Sequence, residues 1–175
     1  MATSISVPVE EYLRTNYNPD MDYVDGELVE RHVGERKHSR LQGLLVALLM
    51  AREVQGNFHV YPEMRIRVSD RGRYRIPDVF VMALPYQPEP VFTQPPHLVI
   101  EILSPDDRPG DVLERVADYL KFGVPHVWLA DPHRRKLQEA DQDGIRDRLD
   151  LTVETDLAGR VDFCELFARL EEPGR

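Results

Sequence analysis

One carboxylate interrupts an otherwise apolar run. In Leu98-Val99-Ile100-Glu101-Ile102-Leu103 the neighbours of Glu101 are those of a strand covered on both faces. An ionised carboxylate in such a strand is costly unless it is paired, hydrogen-bonded or bound to a cation. Whatever fold the chain adopts must therefore bring positive charge to that strand. A second acid, Asp78, follows Pro77 and precedes the apolar stretch Val79-Phe80-Val81-Met82. If the two strands are adjacent and carry their acids near the same end, both carboxylates come within reach of one hard cation. Mg²⁺ favours that arrangement, taking one or two carboxylates and completing its shell with waters and phosphate oxygens. Equally consistent with these residues is an ion pair between each acid and one of the many arginines.

The remaining pattern supplies a sheet and helices around those strands. Ser6 before Pro8 reads as a helix cap, and Tyr23–Val29 as a hairpin turning at Asp25-Gly26. From about Glu35 to Val54, His38, Leu41, Leu45, Leu48 and Leu49 recur at helical steps, with Gly56 as the stop. Alternation from Phe58 to Val68 predicts one strand, and Tyr74 to Met82 another. A proline-rich loop spans 83–96, and Asp111–Phe122 is an amphipathic helix closed by Gly123. Val124–Ala130 is a strand ended by Asp131-Pro132. Lys136–Glu139 and Ile145–Val153 form a meander, and Phe163–Leu170 is a last helix. The expectation is an α/β (α+β) fold, a mixed central sheet flanked by helices, with residues 1–175 as a single domain.

Composition removes several classes. Cys164 is the only cysteine, which rules out an internal disulfide and a cysteine-rich zinc site; its apolar surroundings predict burial. No apolar run approaches the ~20 residues of a membrane span. No basic segment is followed by an apolar one at the N-terminus, and a cytoplasmic location without membrane partners is expected. A net charge of −9 argues against a protein that coats nucleic acid indiscriminately. A nuclease remains compatible with it, since its centre needs acids while a local arginine patch meets phosphate. Only Lys37, Lys121 and Lys136 are lysines. Arginine forks phosphate well but does not serve as a base near neutral pH.

Six segments in order resemble one family. They are Tyr23-Val24-Asp25-Gly26-Glu27-Leu28; His38; Ile76-Pro77-Asp78-Val79; Val99-Ile100-Glu101-Ile102-Leu103-Ser104-Pro105; Tyr119 with Gly123-Val124-Pro125; and Val127-Trp128-Leu129-Ala130-Asp131-Pro132. Together they resemble the Uma-two family of putative restriction endonucleases, of the PD-(D/E)XK nuclease superfamily, from about residue 8 to 170. The resemblance implies a restriction-endonuclease-like core hydrolysing DNA with Mg²⁺, or Mn²⁺ in its place. It implies Asp78 and Glu101 as metal ligands, the Ile102 carbonyl as a further one, and Glu27 and His38 as additional site residues. It also implies a nucleic-acid partner, DNA foremost, and a homodimer by analogy with relatives that cut two strands. Trp128 and Asp131-Pro132 read as structural, and Glu63 as a weaker acid candidate. Arg73, Arg75 and Arg108 flank the site in sequence and are candidate phosphate contacts.

The chain departs from the superfamily pattern at one position. The lysine normally two residues after the Glu is replaced by Leu103. In the family it has moved into the next helix, where this chain carries Arg115; Asp111, Arg115 and Tyr119 share one helix face. Lys121 falls off that face. Two outcomes follow from an arginine there: hydrolysis without a lysine base, or a weak or silent nuclease fold that binds nucleic acid or regulates. A third is an interaction protein whose acids only pair with arginines.

Overall fold

The computed structural model describes residues 6–31 and 35–171. Its centre is a six-stranded sheet in the order β10-β9-β8-β7-β6-β3. These strands are β3 (Phe58–Pro62), β6 (Val79–Ala83), β7 (Leu98–Ile102), β8 (His126–Asp131), β9 (Lys136–Asp141) and β10 (Gly144–Asp147). β7 and β8 are parallel and the other neighbours antiparallel. The parallel pair needs a crossover, which α4 (Pro109–Phe122) provides. The sheet is thus mixed and flanked by helices.

Alternation along the strands sorts the core into two layers. Val79, Val81, Leu98, Ile100 and Trp128 face Leu41, Leu45 and Leu49 of α2 (Arg36–Met50), together with Phe163 and Phe167 of α5 (Phe163–Ala168). Phe80, Val99, Val127 and Leu129 face Val112, Val116 and Tyr119 of α4. By the same alternation Asp78 and Glu101 belong to the α4 face. A second sheet, in the order β2-β1-β5-β4, contains β1 (Met21–Val24), β2 (Glu27–Glu30), β4 (Ile66–Ser69) and β5 (Arg73–Arg75). The short α1 (Val9–Arg14) contributes Tyr12 to the cluster of Tyr12, Tyr23 and Tyr74 against this sheet. A hairpin of β11 (Thr152–Thr155) and β12 (Gly159–Asp162) leads into α5. Among the described residues, no helix is long and apolar enough to cross a membrane.

Several expectations need correction. The two long strands are each broken and shared between the sheets. Glu63, at φ 47°, separates β3 from β4, and Ile76-Pro77-Asp78 separates β5 from β6. Ser6 does not cap α1: Pro8 is the N-cap residue, while Ser6 bridges to Glu27 and extends the first hairpin. Helix α2 stops at Met50, and the turn α3 (Glu53–Gly56) follows it, with Asn57 rather than Gly56 taking the left-handed conformation of the cap. Strand β10 ends at Asp147, and the residues from Thr152 pair with β12 instead. Cys164 is exposed, because Phe163, Leu166 and Phe167 take the buried side of α5.

Candidate active site

The pairing of β6 with β7 sets the two acids opposite each other. Val79 faces Ile100, and the same register carried one residue further places Asp78 across from Glu101. Both are almost fully buried. Two carboxylates so opposed repel, and each needs a compensating partner. Pro77 limits how far β6 extends and leaves Asp78 at its mouth rather than inside the ladder. The main chain there is fixed from two sides, since the Asp78 carbonyl accepts from Gln42 Nε2 (3.0 Å) on α2 and from the Glu63 amide (3.3 Å).

Arg31 supplies the central compensation. It follows β2, and its Nη2 lies 2.6 Å from Asp78 Oδ1 and 3.8 Å from Glu101 Oε2. One guanidinium nitrogen therefore marks the point on which both acids converge. Asp78 Oδ2 accepts from the Ile102 amide (2.7 Å) and lies 3.3 Å from His38 Nε2. Leu103 donates to Ala130 on β8 (2.8 Å), so alternation turns both the amide and the carbonyl of Ile102 toward the Asp78 side.

Glu101 is served by α4. Tyr119 donates its hydroxyl to Oε1 (2.5 Å), and Arg115 Nε lies 3.4 Å from Oε2. Arg115 Nη2 also donates to Asp107 (3.2 Å), whose other oxygen accepts from the Ser104 amide (2.8 Å). The loop after β7 is thereby tied to α4. Arg115 Nε and His38 Nδ1 are buried and have no hydrogen-bond partner. Arg31, His38, Asp78, Glu101, Ile102, Ser104, Asp107 and Arg115 enclose a cavity of about 10 Å³, room for one water at most.

Electrostatics split the two acids. Burial opposes ionisation of Asp78, but Arg31, His38 and the Ile102 amide outweigh it and hold the carboxyl at about 2. For Glu101 burial dominates and, with the charge of Asp78, raises the carboxyl above its ordinary value despite Arg115 and Arg31. His38 loses from burial but gains more from Asp78, and its imidazole is raised. Burial drives the Tyr119 hydroxyl well up, so it stays a proton donor to Glu101. Arg115 is raised despite its burial, chiefly by Glu101.

Asp78, Glu101, Ile102, His38 and Arg115 thus meet in one place. Glu27 does not line the cavity; it is exposed at the turn end of β2, opposite Val24. Glu63 is exposed as well and meets Asp78 only through its backbone amide. Leu103 is half-buried against the α4 layer where the superfamily lysine is usual. Lys121 is exposed. Trp128 is fully buried edge-on to Phe163, and Asp131 closes its turn by accepting from the amides of His133 and Arg134. Arg73 and Arg75 are committed elsewhere: Arg73 to Asp25, Glu114 and Asp118, and buried Arg75 to Asp22 and Asp118. Sequence reasoning missed Arg31. The need for a cation beside two buried acids was readable, but nothing in the order of residues singles out one arginine among so many.

Comparisons with known proteins bear on the family and the fold. The family model Uma2, described as a putative restriction endonuclease, matches residues 9–156. The crystal structure of a putative nuclease belonging to DUF820, from Anabaena variabilis, superposes with a TM-score of 0.80. It is 22% identical and covers 94% of this chain and 99% of its own. A cryo-EM structure of the DrdV–DNA complex is a looser match, with a TM-score of 0.45 and 15% identity over 80% of this chain and 12% of the other. No curated protein matches in sequence.

Proposed function

The chain belongs to the Uma2 family of putative restriction endonucleases, and from that premise we propose that it is a Mg²⁺-dependent phosphodiesterase hydrolysing DNA. The observation that supports this reading is the convergence of Asp78 and Glu101, on one sheet face, upon a single point beside Arg31 Nη2. The donors there suit a hard cation: Asp78, Glu101 and the Ile102 carbonyl would hold Mg²⁺, or Mn²⁺ as a substitute. Bound there, the ion would supply Lewis acidity toward a phosphodiester and lower the pKa of a water.

The side chains around the acids perform the rest. Arg31 occupies the point of convergence and must withdraw for the site to open; its fork then suits a substrate phosphate. Arg115 keeps its proton, so it stabilises developing negative charge and does not accept a proton from water. His38, held toward its charged form by Asp78, is placed to donate a proton or meet phosphate. Cutting both strands of a duplex takes two such centres, and a homodimer is part of this reading. Glu27 has no role in it.

A second reading is favoured by the same guanidinium. Arg31 already neutralises Asp78, as a closed scaffold that binds nucleic acid without cutting it would require. Plasmid cleavage separates the two. On the enzymatic reading, the parent cuts with Mg²⁺ or Mn²⁺, while Asp78→Asn and Glu101→Gln stop cutting and keep the parent's circular dichroism. If Arg31 closes the site, Arg31→Ala binds Mn²⁺ more tightly by calorimetry and still cuts, with a raised KM for DNA from the lost phosphate contact. DNA retention without cutting by both the parent and Arg31→Ala selects the silent scaffold. Equal cutting by the parent and both acid variants discards these acids as the centre.

A further inference from the structure

At the opposite end of β7 and β8 from the acids, three side chains with ligating atoms meet. His97 immediately precedes β7 and His126 opens β8; the parallel register pairs Leu98 with His126, so the two imidazoles lie side by side with centroids 5.3 Å apart. Asp156 reaches them from the turn joining β11 to β12, its Oδ1 3.0 Å from His97 Nε2. One donor atom from each of the three lies within 4.8 Å of the other two. Glu101 lies four residues after His97, roughly 13 Å along the strand, so this cluster is separate from the acidic centre.

His97 and Asp156 are at ion-pair distance but not aligned as a hydrogen bond. Nε2 of His97 is buried and makes no hydrogen bond; the Asp156 oxygen is near it but off the hydrogen-bond direction. A buried ring nitrogen held against a carboxylate without a shared proton is an unfavourable neighbour unless a cation joins them. Their separation is near the edge of a tetrahedron around Zn²⁺, about 3.3 Å for bonds of about 2.0–2.1 Å. His126 has Glu139 Oε1 3.9 Å from its Nδ1, and Arg148 holds the other oxygen of Glu139 at 3.4 Å. At that distance Glu139 makes no hydrogen bond to the imidazole but places negative charge beside it.

We propose that His97, His126 and Asp156 form a binding site for a divalent transition metal, with Zn²⁺ the ion best matched to two imidazoles and one carboxylate. Nitrogen donors disfavour Mg²⁺ and Ca²⁺, and tetrahedral nitrogen and oxygen coordination favours zinc. Asp156 is 79% exposed in its side chain, which gives the ion an entry path and leaves its fourth position to water. The bound ion clips the β11–β12 turn to the central sheet and stabilises the fold.

The test is calorimetric titration of the whole chain with ZnCl₂ alone, then with Mg²⁺ in excess. One Zn²⁺ is expected per chain, undisplaced by Mg²⁺, and Co²⁺ in its place should give the intense visible absorption of tetrahedral coordination. Asp156→Asn, His97→Gln and His126→Gln should each weaken Zn²⁺ about tenfold or more and reduce the rise in Tm that Zn²⁺ gives the parent. Asp156→Asn alters an exposed turn residue and keeps the fold, so its result stands even if a histidine variant unfolds. Asp78→Asn should leave Zn²⁺ affinity unchanged, which separates this site from the acidic centre. No Zn²⁺ uptake by the parent, or equal uptake by the parent and Asp156→Asn, overturns the proposal.

Discussion

Three groups close on the carboxylate of Asp78: Arg31, the Ile102 amide and His38. The histidine reports how strong that field is. Burial alone would lower the His38 imidazole below its ordinary value of 6.5, and Asp78 reverses the direction. Removing the acid's charge in Asp78→Asn leaves burial and Arg31, both of which lower the pKa, opposed only by the weaker charge of Glu101. In an NMR titration, His38 is expected to titrate above 6.5 in the parent and below it in Asp78→Asn. The sign for stability follows from linkage: a folded pKa above the unfolded one stabilises fully below 6.5, and that contribution fades as pH rises through the raised value. An unshifted His38 in the variant would mean that another group sets its charge. At this scale the sequence was informative about the acids and uninformative about their partners. Glu101 was legible because an apolar run surrounds it, whereas Arg31 was not, since its place beside Asp78 depends on how the first hairpin docks. Tyr119 was legible only as a residue sharing a face with Arg115; that this face meets Glu101 comes from the crossover geometry.

Elements obey the same division between local pattern and tertiary partner. The alternation from Phe58 to Val68 is real on both sides of Glu63, yet β3 pairs with β6 and β4 with β5, in different sheets. Periodicity records which side of a strand is buried and says nothing about which sheet buries it, so the breaks at Glu63 and Pro77 were invisible as changes of partner. The largely apolar strands β7 and β8, and the crossover α4 ending at Gly123, were read nearly to their boundaries. Gly56 shows how a correct residue can be given the wrong reason. It ends α3, but a Cβ built there would stand 2.0 Å from the Phe58 ring and 2.9 Å from the Leu157 carbonyl. The need is for close approach, with the core ring of Phe58 pressed against the turn. Gly43, by contrast, lies on the exposed side of α2 with nothing within 4 Å of such an atom. One substitution therefore has two signs. Gly56→Ala is expected to lose about 1–3 kcal/mol by overpacking, and Gly43→Ala to gain about 0.5–1 kcal/mol through helix propensity. Urea unfolding of both variants at equal m-value checks the pair; a loss at both sites would contradict the open space at Gly43.

At the scale of the whole molecule, the DNA-hydrolysing reading asks an acidic chain to meet a polyanion. The net charge is −9, and much of the arginine charge is spent within the fold. Arg73 and Arg75 serve Asp22, Asp25, Glu114 and Asp118, Arg146 serves Asp141, and Arg148 serves Glu139. These pairs hold β5, β9 and β10 to their neighbours and leave no broad basic face to be built from them. On the DNA-hydrolysing reading, phosphate contacts then fall to Arg31 and Arg115, which line the acidic cavity, and to the exposed Arg108 that begins α4. About three phosphates neutralised give a slope near −3 for log K against log salt, or roughly a 40-fold loss of affinity between 50 and 200 mM. A protein wrapped by DNA along a basic surface would lose several orders of magnitude over the same range. Fluorescence anisotropy of a labelled duplex across that salt series, with Arg115→Gln alongside, measures the difference. The variant should flatten the slope by about one unit, the signature of a single lost phosphate contact. A parental slope of −8 or steeper would instead require cations that these ion pairs withhold, and would move the nucleic-acid contact away from the buried acids.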